Sequence, residues 1–425
     1  MPPGAPAAPG HTGGKHSARN ETTMHLIEPL LEWTDDIAAI RRDLHAHPEL
    51  AYEENRSADV VAKSLESWGI ETHRGLGKTG VVGIIRGRSD NGRAVGLRAD
   101  IDALPMQEVN TFAHASRHDG VMHACGHDGH TAMLLMAARH LAAHRDFDGT
   151  VYAIFQPAEE GGKGAQRMMD DGLFQLFPMD AVYGMHNWPG LPVGAFAVHD
   201  TAVMASSNVF EITVRGKGAH AAMPHLGVDP ITAAVQLAQS LQTIVSRQID
   251  PVQAVVLSIT QFHAGSADNV IPDEARLRGT VRTFTDANLD FVENRMKTLC
   301  EHTAQAMQCS VRFNFTRAYP PTINTPAEAE FSAGVLRDLV GEEQVLRNLP
   351  PSMGAEDFAF MLREKPGCYI WIGNGDGDHR LPGHGMGPCM LHNSSYDFND
   401  ELLPLGASYW VMLATRKLAQ LSTPS

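Results

Sequence analysis

The chain has 425 residues, 43% of them hydrophobic and 20% charged, which is typical of a globular protein with about two domains and excludes a fibrous or wholly disordered chain. Its 34 basic and 49 acidic residues leave a net charge of −15, which argues against nucleic acid or an anionic membrane as the main partner. Its five cysteines are too few and too scattered for a disulfide framework, so we expect a reducing compartment, the cytoplasm.

The first 23 residues have the composition of a tail. They are rich in Pro, Gly and Ala and lack the apolar core of a signal peptide. We therefore predict that residues 1–23 are disordered, and Met24, which opens the first helical pattern, is a candidate for the natural start. No apolar run of the sequence is long enough to span a bilayer, so no membrane partner is expected.

Strand and helix patterns alternate in the first and last parts of the chain. Helical spacing of apolar residues predicts helices at 24–44, 56–68, 127–141, 163–169, 355–362 and 401–418. Short apolar runs predict strands at 80–85, 94–97, 151–155, 181–185 and 368–372, with a turn at 89–92. This alternation indicates an α/β domain with a largely parallel sheet flanked by helices, which we assign to residues 24–198 and 319–425.

The middle of the chain has a different order of elements. Strands are predicted at 208–214, 254–262, 275–283 and 310–315, and helices at 230–247 and 289–305. The order β-α-β-β-α-β is that of a ferredoxin-like α+β sandwich. We therefore predict that residues 199–318 form an inserted domain.

The first candidate metal ligands are Cys125 and His127 in the run HACGHDGH. In an extended loop, residues two apart project to one side, so both side chains can reach one ion. Thiolate and imidazole are ligands of zinc, and Asp128 is a candidate acceptor that orients a histidine ring. The alternative is a buried free cysteine among hydrogen-bonded histidines.

Further candidates follow predicted strands. Glu159 and Glu160 come after the strand at 151–155, where α/β proteins place their sites. One carboxylate can bind a metal while the other takes a proton from water, although two acids also fit an ordinary helix start. His186 follows another strand and His392 precedes the last helix. Each is weak evidence singly, but four metal-binding segments in four loops favour a metal site.

Five short motifs, HACGHDGH, QPAEEGG, GMHNWP, GAHAAMPH and LHNSSYDFND, occur in this order along the chain. Together they closely resemble the hippurate-hydrolase and auxin-amino-acid-conjugate hydrolase branch of the dinuclear-metal aminoacylase and carboxypeptidase superfamily. The resemblance extends from about Trp33 to Leu418. It implies a catalytic α/β domain with an inserted lid or dimerisation domain, in agreement with the predicted elements.

The resemblance implies two divalent metal ions and five ligands, Cys125, His127, Glu160, His186 and His392. Glu159, the first acid of QPAEE, would be the general base. In this branch Cys125 stands where relatives use a carboxylate to link the ions. Asp100 and Asp102 resemble a metal-ligand segment of those relatives, but Arg98 replaces the expected histidine. We therefore expect these two carboxylates to position the metal ligands or to stabilise the fold rather than to bind metal themselves.

The resemblance also suggests residues that contact the substrate. His220 of GAHAAMPH is the candidate to polarise the scissile carbonyl, in similar enzymes sometimes from a neighbouring subunit; its alternative is a turn histidine. Arg282 and Asn269 are candidates to hold a substrate carboxylate, although Arg282 is also compatible with a solvent-facing strand. Gly354 is a candidate because a Gly-Ala helix start can present backbone N–H groups to an anion.

Four other histidines are not predicted to bind metal. We interpret His45 and His47 as structural. His379 and His384 lie in the Gly-rich stretch 373–387, which we interpret as a mobile loop near the site.

The expected activity is metal-dependent hydrolysis of the amide bond of an N-acyl amino acid. Zinc fits the thiolate ligand, and manganese, cobalt and nickel fit a mixed nitrogen and oxygen site. The expected partners are a small N-acyl amino acid or dipeptide substrate and further copies of the chain, as a homodimer or homotetramer. The alternatives are a dipeptidase or carboxypeptidase with the same site and a non-catalytic metal- or ligand-binding protein. A base outside the ligand set argues against the last of these, since a metal binder does not need one.

Overall fold

Two β-sheets dominate the computed structural model, which describes residues 24–380 and 382–423. The larger sheet has eight strands and the smaller has four. The predicted tail, residues 1–23, lies outside the described residues. None of the described helices is both long enough and apolar enough to cross a membrane.

The described helices and strands have the following bounds. The helices are α1 (Glu28–Glu32), α2 (Thr34–Ala46), α3 (Asn55–Ser67), α4 (His127–Ala143), α5 (Gly164–Asp170), α6 (Leu173–Leu176), α7 (Pro230–Arg247), α8 (Asp286–Ala306), α9 (Pro326–Val340), α10 (Ala359–Glu364) and α11 (Leu402–Ser422). The strands are β1 (Glu71–Leu76), β2 (Gly80–Arg86), β3 (Ser89–Asp100), β4 (Asp148–Gln156), β5 (Ala181–Trp188), β6 (Phe196–Val198), β7 (Ala202–Met204), β8 (Ser207–Arg215), β9 (Ala219–His220), β10 (Val255–Ala264), β11 (Val270–Ile271), β12 (Glu274–Thr283), β13 (Ser310–Tyr319), β14 (Thr322–Ile323), β15 (Val345–Leu346) and β16 (Gly367–Gly373).

The larger sheet confirms the predicted α/β fold class. Its strand order is β1-β2-β4-β3-β5-β16-β6-β15, and the central pairs β4–β3, β3–β5 and β5–β16 are parallel. The carboxyl ends of parallel strands meet at one edge of a sheet, which is where α/β proteins bind ligands. The ends of β3, β4 and β5 therefore bring Asp100 and Asp102, the motif QPAEEGG and the motif GMHNWP to the same edge.

Helices cover both faces of this sheet. Val151, Ala153 and Phe155 of β4 join a core with α2, α4 and α11, while Ile154 of the same strand joins a second core with α5 and α10. Burial on both faces makes such strands continuous apolar runs, which explains how they were predicted from the sequence. Helix α4 is buried along most of its length, so its first residue, His127, is held in a fixed position.

The smaller sheet belongs to an antiparallel unit with its own core. Its strand order is β10-β12-β8-β13, and α7 and α8 pack against it through residues such as Leu237, Leu277 and Val292. The elements run β8, α7, β10, β12, α8, β13, as in the predicted β-α-β-β-α-β order. Strand β7 pairs with β14, so the segments that enter and leave this unit lie side by side. The domain boundaries at 199 and 318 stay a prediction.

Several elements differ from those predicted. The helix predicted at 24–44 is divided at Trp33 into α1 and α2, and the helix predicted from residue 355 begins at Ala359. The turn predicted at 89–92 lies inside β3, where Asp90 and Asn91 nevertheless accept hydrogen bonds from backbone N–H groups two residues ahead. These local turns interrupt the β3–β4 register between Ser89 and Ala94. Strand β1 and helix α9 were not predicted.

Candidate metal centre

A left-handed glycine brings Cys125 and His127 together. Gly126 has φ of +95°, and a Cβ atom there would lie 2.3 Å from Asn187 Oδ1 and 2.5 Å from the Tyr396 hydroxyl. The extended loop predicted from the sequence is therefore wrong at this residue. The chain turns sharply at Gly126 and enters α4 at His127, and only glycine fits this conformation and this space.

The first set of candidate ligands consists of Cys125, His127 and His186, whose ligand atoms all lie within 4.8 Å of one another. Cys125 Sγ is 3.3 Å from His186 Nε2. Nδ1 of His127 lies 2.9 Å from the backbone oxygen of Asp102, and Nδ1 of His186 lies 2.7 Å from that of Asn187. Each ring thus uses Nδ1 for a backbone contact and presents Nε2 to the set, the arrangement usual for metal-binding histidines.

The buried Nε2 atom of His127 makes no hydrogen bond within the described residues. It lies 3.6 Å from Asp100 Oδ2, beyond hydrogen-bond range. A buried ring nitrogen without a partner is costly. A metal ion in the first set would satisfy it.

The second set consists of Cys125, Glu160 and His392, again within 4.8 Å of one another. His392 Nε2 is 3.0 Å from Glu160 Oε1. His392 has φ of +58°, and its N–H donates to Ala124 O at 2.7 Å, next to Cys125. Cys125 belongs to both sets, so a thiolate there is placed to link two ions.

The electrostatics of the two sets call for added positive charge. Burial, together with the carboxylates of Glu160 and Glu159, raises the pKa of the Cys125 thiol well above its usual value. Burial and His130 hold the pKa of His186 well below its usual value, so this ring is neutral as a metal ligand requires. Thiolate, neutral imidazole and carboxylate together fit divalent cations, and a cation would be needed to stabilise the thiolate.

The pKa of His127 also reflects the excess of negative charge around the ligands. Burial lowers its pKa, but Asp100, Asp102 and Glu160 outweigh that effect and raise the pKa to about 10. In the protein without metal this ring therefore carries a proton that a cation would have to displace.

Glu159 belongs to neither of these two sets, although its carboxyl group also lies within 4.8 Å of ligand atoms of His127 and Glu160. It is buried, and burial together with Glu356, Glu160 and Asp357 raises its pKa well above the usual range. Its Oε1 accepts a weak hydrogen bond from the backbone N–H of Asp357 at 3.3 Å. A buried carboxyl group beside the ligands is the arrangement that a proton-transferring residue needs.

One cavity of about 600 Å³ is lined by Glu159, by two of the candidate substrate contacts, Arg282 and Gly354, and by four of the five candidate ligands, Cys125, Glu160, His186 and His392. The guanidinium of Arg282 is half-buried and makes no hydrogen bond or ion pair within residues 24–380 and 382–423, and burial lowers its pKa. A cationic side chain in this position is suited to an anionic ligand. The Gly354 N–H donates to Ser352 Oγ at 3.0 Å, so Gly354 offers the cavity space and no free donor, unlike the sequence interpretation.

His220 and Asn269 lie outside this cavity. His220 is exposed on β9, which pairs with β11, and its Nδ1 accepts the Ala222 N–H at 3.1 Å. Asn269 is also exposed, and its backbone oxygen accepts the Ala221 N–H at 3.0 Å. Within one chain, the structure does not bring these two residues to the ligand sets.

Of the two acids expected to support the ligands, Asp102 contacts two of them, and Asp100 contacts neighbouring residues. Asp102 Oδ1 lies 3.1 Å from His127 Nδ1, and Asp102 Oδ2 accepts the Glu160 N–H at 2.9 Å. Asp100 binds His130 and Arg98 at 2.6 and 2.8 Å. Sequence reasoning missed His130, although it lies within HACGHDGH.

Asp128 contacts a histidine ring, as expected, but that histidine is not a candidate ligand. Its Oδ2 lies 2.9 Å from His45 Nδ1 and 3.3 Å from the Arg41 guanidinium, so it orients no ligand histidine. His45 also lies 3.2 Å from Glu108, in agreement with a structural role. His379 and His384 belong to none of the metal-type clusters found among the described residues.

Comparison with known proteins identifies the class. Residues 96–416 match the model of peptidase family M20/M25/M40. The chain is 40% identical over 396 residues to hippurate hydrolase of Campylobacter jejuni, which covers 93% of this chain and 100% of that protein. It is 38% identical over 408 residues to thermostable carboxypeptidase 1 of Saccharolobus solfataricus, with 92% and 99% covered. A crystal structure of a dinuclear metal-binding M20 peptidase from Bacillus subtilis matches with a TM-score of 0.78 and 34% identity, covering 92% of this chain and 99% of that one.

The chain belongs to peptidase family M20/M25/M40, which confirms the resemblance. It is an amidohydrolase, a hydrolase that cleaves linear amide bonds. The clusters described above are its candidate metal ligands.

Proposed function

We propose that this protein hydrolyses the amide bond of N-acyl amino acids and releases a carboxylic acid and a free amino acid. The observation that carries the proposal is the content of one cavity: four of the five candidate ligands, including the shared Cys125, the buried carboxyl group of Glu159, and the half-buried guanidinium of Arg282, which has no partner among the described residues. The ligands and Glu159 suit amide hydrolysis, and Arg282 suits a substrate whose carboxylate lies near the scissile bond.

The five candidate ligands Cys125, His127, Glu160, His186 and His392 would hold two divalent ions. Zinc fits the thiolate and imidazole ligands, and manganese, cobalt or nickel are alternatives. Such ions lower the pKa of bound water toward neutrality and polarise a carbonyl oxygen. Glu159 accepts a proton from the attacking water and passes it to the leaving nitrogen, because its carboxyl group faces the same cavity and lies outside the two Cys125 sets.

Arg282 binds the carboxylate of the amino-acid part through its planar guanidinium. We propose a further contact from a second copy of the chain, which supplies His220 as a donor to the developing oxyanion. This assignment is supported by the exposure of His220 outside the cavity of its own chain. It requires a homodimer or a larger assembly with the same contact.

A carboxypeptidase or dipeptidase activity is the second candidate. The 38% identity to thermostable carboxypeptidase 1 favours it, and a peptide substrate also presents a carboxylate next to the scissile amide. The two activities differ in the group on the acyl side of the bond.

A substrate panel distinguishes these activities. Benzoyl-glycine, N-acetyl amino acids and simple dipeptides would be offered to metal-loaded, chelator-stripped and reloaded protein. We expect stripped protein to be inactive and reloading to restore cleavage of the acyl amino acids at higher kcat/KM than the dipeptides. Cleavage of dipeptides alone would favour the second candidate, and no cleavage with two ions bound would contradict both.

Glu159→Gln tests the assignment of the base. The amide keeps the size of the side chain but cannot take a proton, so we expect kcat to fall by about 10²- to 10⁴-fold with the metal content unchanged. Metal content by mass spectrometry and kcat on the preferred panel substrate give the two readouts. Glu53→Gln, on the exposed residue Glu53, is the matched control. Retained turnover in Glu159→Gln would remove the assignment.

Complementation tests the contribution of a second copy. His220→Ala is expected to lose about 10²- to 10³-fold in kcat, as for other oxyanion donors. Glu159→Gln and His220→Ala chains, unfolded together and refolded as a mixture, should regain activity, because a mixed dimer contains one site with both groups intact. Mixed dimers that form and remain inactive would show that His220 does not act across the interface.

Arg282→Met tests the carboxylate contact. Loss of a charge-assisted hydrogen bond, about 1.5–3 kcal/mol, should raise KM for N-acyl amino acids by about 10- to 100-fold. The matched control is Arg278→Met on the same strand, β12, where the exposed Arg278 faces Glu211. An equal change of KM in both variants, or none in either, would contradict the assignment.

A further inference from the structure

Tyr319 stands where the chain leaves the four-stranded unit. It is the last residue of β13 and pairs, across an irregular register, with Ser207, the first residue of β8. Both residues line the cavity described above. Tyr319 is only 7% exposed, and its ring packs at a steep angle against Phe360, with centroids 6.1 Å apart.

The hydroxyl group of Tyr319 reaches the loop that follows β4. It donates to the backbone oxygen of Glu159 at 2.6 Å and accepts the N–H of Lys163 at 3.3 Å. It therefore holds both ends of the segment 159–163, which carries Glu159 and the candidate ligand Glu160. This contact connects the end of β13, in the four-stranded unit, to the loop 159–163, which follows β4 of the eight-stranded sheet.

That segment has a strained backbone. Ala158 and Lys163 have φ of 54° and 59°, and Gly161 has φ of 86°. Residues other than glycine adopt this region at a cost, and they persist there only when the surroundings hold them. The loop has few internal constraints of its own beyond the Gly161 N–H to Glu159 O bond at 2.7 Å and the Gly164 N–H to Ala158 O bond at 3.0 Å.

A second tyrosine, Tyr52, contacts the same loop from the unit that contains the eight-stranded sheet. The Tyr52 hydroxyl donates to the backbone oxygen of Gly162 at 2.6 Å. Tyr52 lies in the turn before α3 and does not line the cavity. The two hydroxyl groups make hydrogen bonds of equal length to the same loop, but only that of Tyr319 bonds to the residue proposed as the base.

We propose that Tyr319 is a positioning residue that ties the loop bearing Glu159 and Glu160 to the end of β13 in the four-stranded unit. Its hydroxyl fixes the backbone of Glu159, and thereby the place of the Glu159 carboxyl group over the cavity. The expected effect on turnover rests on the proposed function, whereas the tie itself does not.

The test uses Tyr319→Phe in the full, metal-loaded protein, with Tyr52→Phe as the matched control. Each variant removes one hydroxyl from the same loop and keeps the ring. We expect Tyr319→Phe to increase amide hydrogen exchange at residues 161 and 163 and to lower kcat by about 10-fold, the size of one lost hydrogen bond. KM and the number of bound ions should stay as in the parent protein, and the thermal midpoint should fall no further than in Tyr52→Phe. Tyr52→Phe should change kcat by no more than about twofold.

Three outcomes would overturn the proposal. Unchanged exchange at residues 161 and 163 would show that Tyr319 does not hold the loop. Faster exchange with unchanged kcat, or with a change in KM alone, would reduce Tyr319 to a wall of the cavity. Equal losses of kcat in the two variants would assign the effect to loop anchoring in general. If the parent protein cleaves no member of the substrate panel, the proposed function fails, and the exchange measurement alone decides the tie.

Discussion

The buried guanidinium of Arg98 holds the centre of the catalytic unit together. It donates to Asp100 at 2.8 Å, to Glu356 at 2.9 Å, to Asp357 at 3.0 Å and to Gln156 at 2.8 Å. Burial lowers its pKa, but the three carboxylates outweigh that effect and hold the pKa well above the usual value. Removing one partner of such a buried network typically costs about 3–5 kcal/mol, because the remaining charges lose their compensation. The ends of β3 and β4 and the segment before α10 are thereby fixed around Glu159.

Arg98 compensates only the inner part of this acidic region. Glu159 and Glu160, which Arg98 does not contact, line the cavity with Cys125, where the pKa values of Cys125 and Glu159 are raised. The negative charge of this region is thus balanced in two ways: by the Arg98 guanidinium behind the site and by the metal ions proposed within it. Because the thiol must lose its proton to bind a metal, metal affinity and the ionisation of Cys125 are linked.

The metal-binding motifs were predictable because each places metal-type side chains at the boundary of an element: QPAEEGG and GMHNWP at the ends of β4 and β5, HACGHDGH at the start of α4, and LHNSSYDFND before α11. Their contacts were not predictable in the same way. Arg98 and Glu356 are 258 residues apart, and the partner of Asp128 is His45 from α2, a choice made by packing between helices. The left-handed turn at Gly126 has no signal beyond a glycine between two ligands, and its need appears only once Asn187 and Tyr396 are in place. His220 and Arg282 both belong to the four-stranded unit, but His220 is exposed outside the cavity and Arg282 is half-buried within it. This difference was not predictable from the sequence.

Cys125 belongs to both ligand sets, and anomalous X-ray diffraction from zinc-loaded crystals tests whether its thiolate links two ions. We expect two anomalous peaks, each about 2.3 Å from Cys125 Sγ, the usual zinc–sulfur distance. One peak should also lie beside His127 and His186, and the other beside Glu160 and His392. A single peak, or two peaks of which either lies beyond bonding distance of Cys125, would contradict the claim that this thiolate links two ions.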